Sequence, residues 1–345
     1  MAYTDIDKPS DYFNTNLYTG NNTETSHTVG FQPDWTWLKV RNADGSHYLF
    51  DSVRGVTKYI QANSTAAEGT DSNLIKSFDA NGYTIGTSNA VNTTGETMVG
   101  WNWKAGGSAS SNTDGSITSS VSANQDAGFS IVSYTGNATA NATVGHGLGV
   151  APSMMIVKKR NGAFNWGIYH KTLTAHKLIA FTTNTPDDDA SYWNDVEPTS
   201  SVFNLGSGAL TNGSGSTMIA YCFSEKKGYS KFGSYTGNGN ADGTFVYTGM
   251  KPSFVMYKAS SISGQSWLIH DNKRGNQGAN ANPQDLRLLA NATNTEADVN
   301  IDFLSNGFKP RAGDAHINSS GTTYIYMAFA ENPFVTSTGI PTTAR

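Results

Sequence analysis

Apolar residues fall along this chain in short runs broken by Gly, Asn, Ser and Thr, a pattern that predicts strands and tight turns and no significant helix. Three runs are related. Each is opened by a Pro and closed by a Lys six residues later: Pro33 to Lys39, Pro152 to Lys158 and Pro252 to Lys258. Pro suits the first position of a strand, where its missing N–H costs no ladder bond. Between them stand Asp34-Trp-Thr-Trp-Leu-Lys, Ser153-Met-Met-Ile-Val-Lys and Ser253-Phe-Val-Met-Tyr-Lys. Large or apolar residues occupy both faces, so each strand is expected to be covered on both sides. A second strand begins eight or nine residues past each Lys, at His47, Trp166 and Trp267. Copies one and three then run into Arg54-Gly55 and Arg274-Gly275. Each unit closes on a Gly with large residues six and eight positions on: Trp101 and Trp103, Tyr221 and Phe223, Met327 and Phe329. A two-residue step places each pair on one face of a strand. Asn81-Gly82 and Asn306-Gly307 read as hairpin turns.

The tetrad Tyr-Thr-Gly-Asn precedes these landmarks at Tyr18, Tyr134 and Tyr235, copies about 116 and 101 residues apart. That period is too long for a solenoid unit and matches a small β-sandwich. The order of landmarks predicts an all-β chain of three tandem antiparallel β-sandwich domains, jelly-roll or lectin-like, of about 100 residues each. The expected divisions are an extended arm over 1–17, repeats over 18–107, 129–230 and 231–334, and a C-terminal arm over 335–345. The Gly/Ser-rich stretch 108–128 reads as a linker or a hairpin. The tetrad itself reads as a turn, its Gly and Asn suiting positions with φ > 0.

Composition narrows the function. A net charge of −4, a pI near 6.0 and no basic cluster give no footprint for nucleic acid. No apolar run approaches the roughly 20 residues of a membrane span, and the opening residues do not read as a signal peptide. The single Cys222 forbids an intrachain disulfide and any CxxC metal site.

A residue type kept in all three copies serves the fold, whereas a feature of one copy points to something specific. Trp35 and Trp37 would suit stacking on a sugar ring, but their counterparts Met154 and Ile156, then Phe254 and Met256, are core types. The seven histidines show no metal-ligand spacing, and no nucleophile elbow is present. We therefore expect no cofactor, no metal and no enzyme activity. The one reaction left to weigh is depolymerisation by a carboxylate pair, which the sequence cannot place. The unshared loop Asn184 to Pro198 supplies the candidate ligand residues: Asp187, Asp188 and Asp189 with Tyr192 and Trp193. Its bland alternative is a solvated excursion whose Trp tucks back on its own domain. The polar stretch Asp271 to Pro283 is the second unshared feature.

Several segments carry a family resemblance. The opening Met1-Ala-Tyr-Thr-Asp-Ile-Asp-Lys-Pro-Ser-Asp-Tyr-Phe resembles a family of repeat-built virion proteins of marine bacteriophages, those of cyanobacteria and of abundant marine heterotrophs. So do Gly30-Phe-Gln-Pro-Asp-Trp-Thr-Trp-Leu-Lys, Leu49-Phe-Asp-Ser-Val-Arg-Gly, Trp101-Asn-Trp-Lys-Ala-Gly-Gly and Gly228-Tyr-Ser-Lys-Phe-Gly-Ser-Tyr-Thr-Gly-Asn-Gly. The resemblance covers essentially the whole chain. It implies a virion structural protein, assembled in the host bacterial cytoplasm, of the tail-fibre or spike type. Its expected partners are other virion proteins and a host-surface glycan, with a homotrimer among the assemblies open to it. Tyr3, Tyr12 and Phe13 are the expected assembly contacts of the N-terminal arm. Capsid or tail decoration is the alternative, favoured by the lack of heptads or a collagen-like shaft.

Overall fold

The computed structural model describes residues 3–342, leaving Met1, Ala2 and 343–345 of the two expected arms outside the described residues. The chain is all-β, built from several sheets whose ladders are antiparallel. Among the described residues helix is limited to Asn89–Asn92, Ala190–Trp193, Ala209–Asn212 and a 3-10 turn at Pro9–Asp11.

The same four-strand order recurs in each copy. In the first it is Phe13–Thr19, Thr97–Trp103, Trp35–Val40 and Tyr48–Asp51. In the second it is Phe129–Thr135, Thr217–Phe223, Met154–Lys159 and Gly167–His170. In the third it is Ser230–Thr236, Thr323–Pro333, Met250–Ala259 and Leu268–Asp271. Even the register repeats, because Trp35 faces Trp103 as Met154 faces Phe223 and Phe254 faces Phe329. The first strand begins five residues before the tetrad's Tyr in every copy, so 13–17 belong to the first sheet and are not an arm. The stretch 108–128 forms a hairpin, Ser110–Asn112 with Ser119–Asn124, that pairs onto Phe129–Thr135.

Alternation along the strands decides the packing. Trp35, Trp37, Trp101 and Trp103 of copy one point to one core, with Met154, Ile156, Tyr221 and Phe223 of copy two and Phe254, Met256, Met327 and Phe329 of copy three. The intervening residues face outward into a core private to each copy: Leu38 and Val40, Met155 and Val157, Val255 and Tyr257. In copy one that outer core is covered by a three-stranded sheet, Thr25–Thr28, Gly82–Ile85 and Ile75–Asp79. Trp35 stacks on Tyr221 with centroids 4.5 Å apart, and Phe13 stacks on Phe329 at 5.2 Å. Each such side chain gains about 1.5–3 kcal/mol from burial. A copy cut free would expose its share of this aromatic centre to water, so the copies are not separate beads.

Hydrogen bonds close the ring in one rotational sense. Tyr221 donates to Asp51 at 2.7 Å, His170 Nε2 to the Tyr326 carbonyl at 3.1 Å, and Trp101 to Asp271 at 2.9 Å. Asp51, His170 and Asp271 are equivalent residues, and each bonds to the closing strand of the next copy: one to two, two to three and three to one. Buried Arg54 and Arg274 hold Asp51 and Asp271. Glu68 then joins Arg54 to Arg160 of copy two, and Glu296 joins Arg274 to Arg41 of copy one.

The tetrad is structural, for a reason different from the expected one. None of its Gly or Asn residues has positive φ. A Cβ at Gly20, Gly136 or Gly237 would lie 2.1–2.5 Å from a backbone carbonyl oxygen, so only Gly fits. The Tyr hydroxyls donate to the Val91, Thr211 and Ile317 carbonyls. The N–H of the tetrad's own Asn (Asn21, Asn137 or Asn238) donates to the side-chain oxygen of a buried Asn: Asn92, Asn212 or Asn318. Positive φ is instead required three residues after each of these, at Gly95, Gly215 and Gly321. Likewise, Gly82 and Gly307 follow their hairpin turns and are Gly because a neighbouring strand's carbonyl passes close.

Candidate functional site

The unshared loop of copy two is folded inward. Asp187–Asp188 pairs with Lys177–Leu178, and Asp189 accepts from Ser191 N at 2.7 Å as an N-cap. The short helix this starts drives Trp193 into the outer core of copy two, 1% exposed and edge-on to Tyr169. Trp193 is thus a core residue and not a ligand platform. The Tyr192 hydroxyl donates to Asp187 at 2.7 Å. Burial first, and that carboxylate second, push its pKa up to about 12. Among the described residues no three His, Cys, Asp or Glu converge to hold a metal, so the Asp187–Asp189 run does not build such a centre. Trp35 and Trp37 lie in the central core, which excludes stacking on a sugar.

The expected assembly residues separate by burial. Phe13 is 2% exposed, against Trp103, Phe254 and Phe329, and is therefore a core residue and not an arm contact. Tyr12 is half-buried, edge-on to Tyr229. Tyr3 alone of the three is open, at 62%.

Tyr3 belongs to a surface assembled where residues 3–7 and 334–342 meet the third copy. Thr4 Oγ1 and the Asp5 N–H both donate to the Lys227 carbonyl, at 2.7 and 2.9 Å. Ile6 reaches the central core. The Asp7 carboxylate accepts from the Ser337 hydroxyl and N–H, bonds that hold its pKa below the usual range. A bridge between Val335 and Pro341 folds the last segment back on itself. Tyr3, Tyr247 and Phe334 then line a cleft of about 300 Å³. Glu225 on its wall is held by Lys171 and Lys231, each at 2.6 Å. Burial would raise that carboxyl's pKa, but the two ammonium groups outweigh it and hold it down. Three of the eight exposed large apolar side chains among the described residues line this cleft, Tyr3, Tyr247 and Phe334, and Phe245 lies two residues before Tyr247 in sequence. Exposed rings brought together in one cleft make it the candidate interaction surface.

Sequence reading missed Tyr247, Phe245 and Phe334. A signal existed: Val246–Tyr247 corresponds to Thr25–Thr28 and Ala142–Gly145, and neither of those strands contains Phe, Tyr or Trp. The buried Asn92, Asn212 and Asn318 were legible too, each standing three residues before its Gly.

Fold and surface together define a class: an all-β protein whose three internal copies surround one core and which gathers its exposed rings at one place. A family model, a domain of unknown function (DUF7483), matches residues 8–333, and the chain belongs to that family. The match spans all three copies, as expected when the folding unit is the whole ring and not the single repeat. No curated protein and no solved structure matches the chain. Among the described residues no helix is long and apolar enough to cross a membrane.

Proposed function

We propose that this chain is a structural, adhesive component of a bacteriophage particle, an appendage of the tail-fibre or spike type that meets the host surface. Each copy is read as a β-sandwich of the lectin-like kind, with its inner sheet turned to the common core. The observation that carries the reading is the concentration of exposed rings around Tyr3, Tyr247 and Phe334, where the first and last described segments are tied to copy three. A rigid body with one apolar face suits attachment to another particle protein and leaves its remaining surface for the host. The ring of three copies supplies from a single chain the valency that a homotrimer would otherwise provide. The repeated motifs all resolve into turns, caps and core, which supports a structural role over a catalytic one. The compact ring also favours a second reading, decoration of the capsid or tail.

Imaging of purified particles with a gold-labelled antibody against this chain tests both. Label at the tail tip or on a tail appendage is the expected result. Label spread over the capsid would replace the appendage reading with decoration. Particles without label would overturn the virion reading altogether.

A further inference from the structure

We infer that a cavity of about 500 Å³ in the third copy is a binding site for an uncharged saccharide of one or two rings. The inference deepens the adhesive reading above and rests on it for the source of the ligand. The site is built from what copy three has and the other two lack. Its Pro-led strand has 10 residues where the others have 6, and its closing strand has 11 where the others have 7. The added stretches, Met250–Ser253 and Ala330–Pro333, pair with register shifts at Lys251/Pro252 and Pro252/Phe254. Bulges of this kind re-aim side chains beside functional sites. Here Lys251 and Glu331 are brought together at 2.6 Å on the cavity wall.

The opposite wall comes from the second unshared stretch. In copy one the strand Lys58–Gln61 follows soon after Arg54-Gly55, whereas in copy three Gln284–Leu289 is delayed by an insertion that carries Asn280 and Asn282. Both are held in place. Asn282 Nδ2 donates to the Phe303 carbonyl at 2.9 Å while its Oδ1 accepts from Phe303 N at 3.0 Å. Asn280, at φ 62°, accepts from Asn272 Nδ2 at 2.7 Å. Asn332, Ser305 and Thr342 add further polar lining, beside the apolar Phe303 and Leu304.

The lining chemistry selects the ligand. The single ammonium is neutralised by the single carboxylate, which leaves no net charge to hold a phosphate or a free carboxylate. What remains is a set of short-range donors and acceptors: the Asn280 and Asn332 amides, the Lys251 ammonium and the Glu331 carboxylate, with the Asn282 amide held by Phe303. Vicinal hydroxyls, each both donor and acceptor, satisfy such a set. Glu331 Oε2 is paired with Lys251 Nζ, and the carboxylate's remaining lone pairs and the ammonium's remaining N–H groups are left for ligand hydroxyls. The volume lies within the roughly 300–1,000 Å³ of small-ligand sites. Prepositioned amides lower the ordering cost of binding.

The test is titration calorimetry of the full chain with maltose, lactose and chitobiose, with sialyllactose as the charged control. At least one neutral disaccharide is expected to bind, with sialyllactose weaker. Glu331→Gln and Asn332→Ala should each weaken binding about tenfold or more, with thermal unfolding confirming the fold. Tyr247→Ala, in the separate aromatic cleft, should leave it unchanged. No binding by any of the three, binding that survives both cavity variants, or loss caused by Tyr247→Ala would each overturn the inference. Particle imaging is independent of this result: label on the tail with no sugar binding sinks the saccharide site and leaves the appendage reading standing, while sugar binding without label does the reverse.

Discussion

Ile156→Ala tests whether the three copies are one cooperative unit. Ile156 is fully buried in the shared core, in register between Tyr221 and Ile168. Truncating a buried Ile to Ala costs about 2–5 kcal/mol, and about 3 is a fair central value. The resulting shift in Tm depends on the size of the unit that unfolds. Unfolding entropy is about 2.1 cal/mol/K per residue near 60 °C. For the 345 residues acting together that is about 0.7 kcal/mol/K, so the whole transition should drop by about 4 °C. For an independent copy of about 100 residues it is about 0.2 kcal/mol/K, so one transition of three would drop by about 14 °C and two would stay. Scanning calorimetry separates the cases. The shared core predicts one endotherm before and after the substitution, with matching calorimetric and van't Hoff enthalpies of about 240 kcal/mol. A wild-type trace of several transitions, or a variant in which about a third of the enthalpy moves alone, would refute the reasoning from Trp35, Tyr221 and Phe329.

Three further expectations follow from burial. Burial lowers the His27 and His170 pKa values to about 4 and that of His270 to about 3. The unfolded chain therefore takes up protons below about pH 6.5 that the folded chain refuses, and stability should fall as pH drops from there toward 4. The buried amines of Lys39, Lys158 and Lys258, each bonded to backbone carbonyls, are pushed down to about 8. Between about pH 8 and 10 the unfolded chain holds the extra protons, so stability should rise there, until ionisation of tyrosines in the unfolded chain reverses it. A Tm profile from pH 4 to 11 that falls steadily above pH 8 would contradict the lysine assignment. Trp193→Ala should destabilise the fold by about 3–5 kcal/mol in a denaturant titration. A stable variant that loses a ligand would restore the 184–198 loop as a binding site.

Local structure was legible in the sequence to the extent that it recurs. The Pro-led strands, the second strands and the Trp101/Trp103 type of closing strand could be placed because strand period and turn chemistry are local properties, and three copies repeat them. Apolar residues on both faces of Asp34–Lys39 correctly announced two covering layers. What covers the inner layer was decided only in three dimensions, since Trp35 meets Tyr221 across a separation in sequence that no periodicity encodes. The same holds for Gly20, whose need arises from the Thr93 carbonyl packed against it and not from its own φ. It holds for Phe13, which reads as part of an arm until its strand pairs with Thr97–Trp103. The functional surfaces were least legible. Tyr3, Tyr247 and Phe334 are ordinary aromatic residues in the sequence, as Lys251 and Glu331 are ordinary surface charges. Exposure and convergence are properties of the packed chain, set by which apolar faces the core consumed and which it left over.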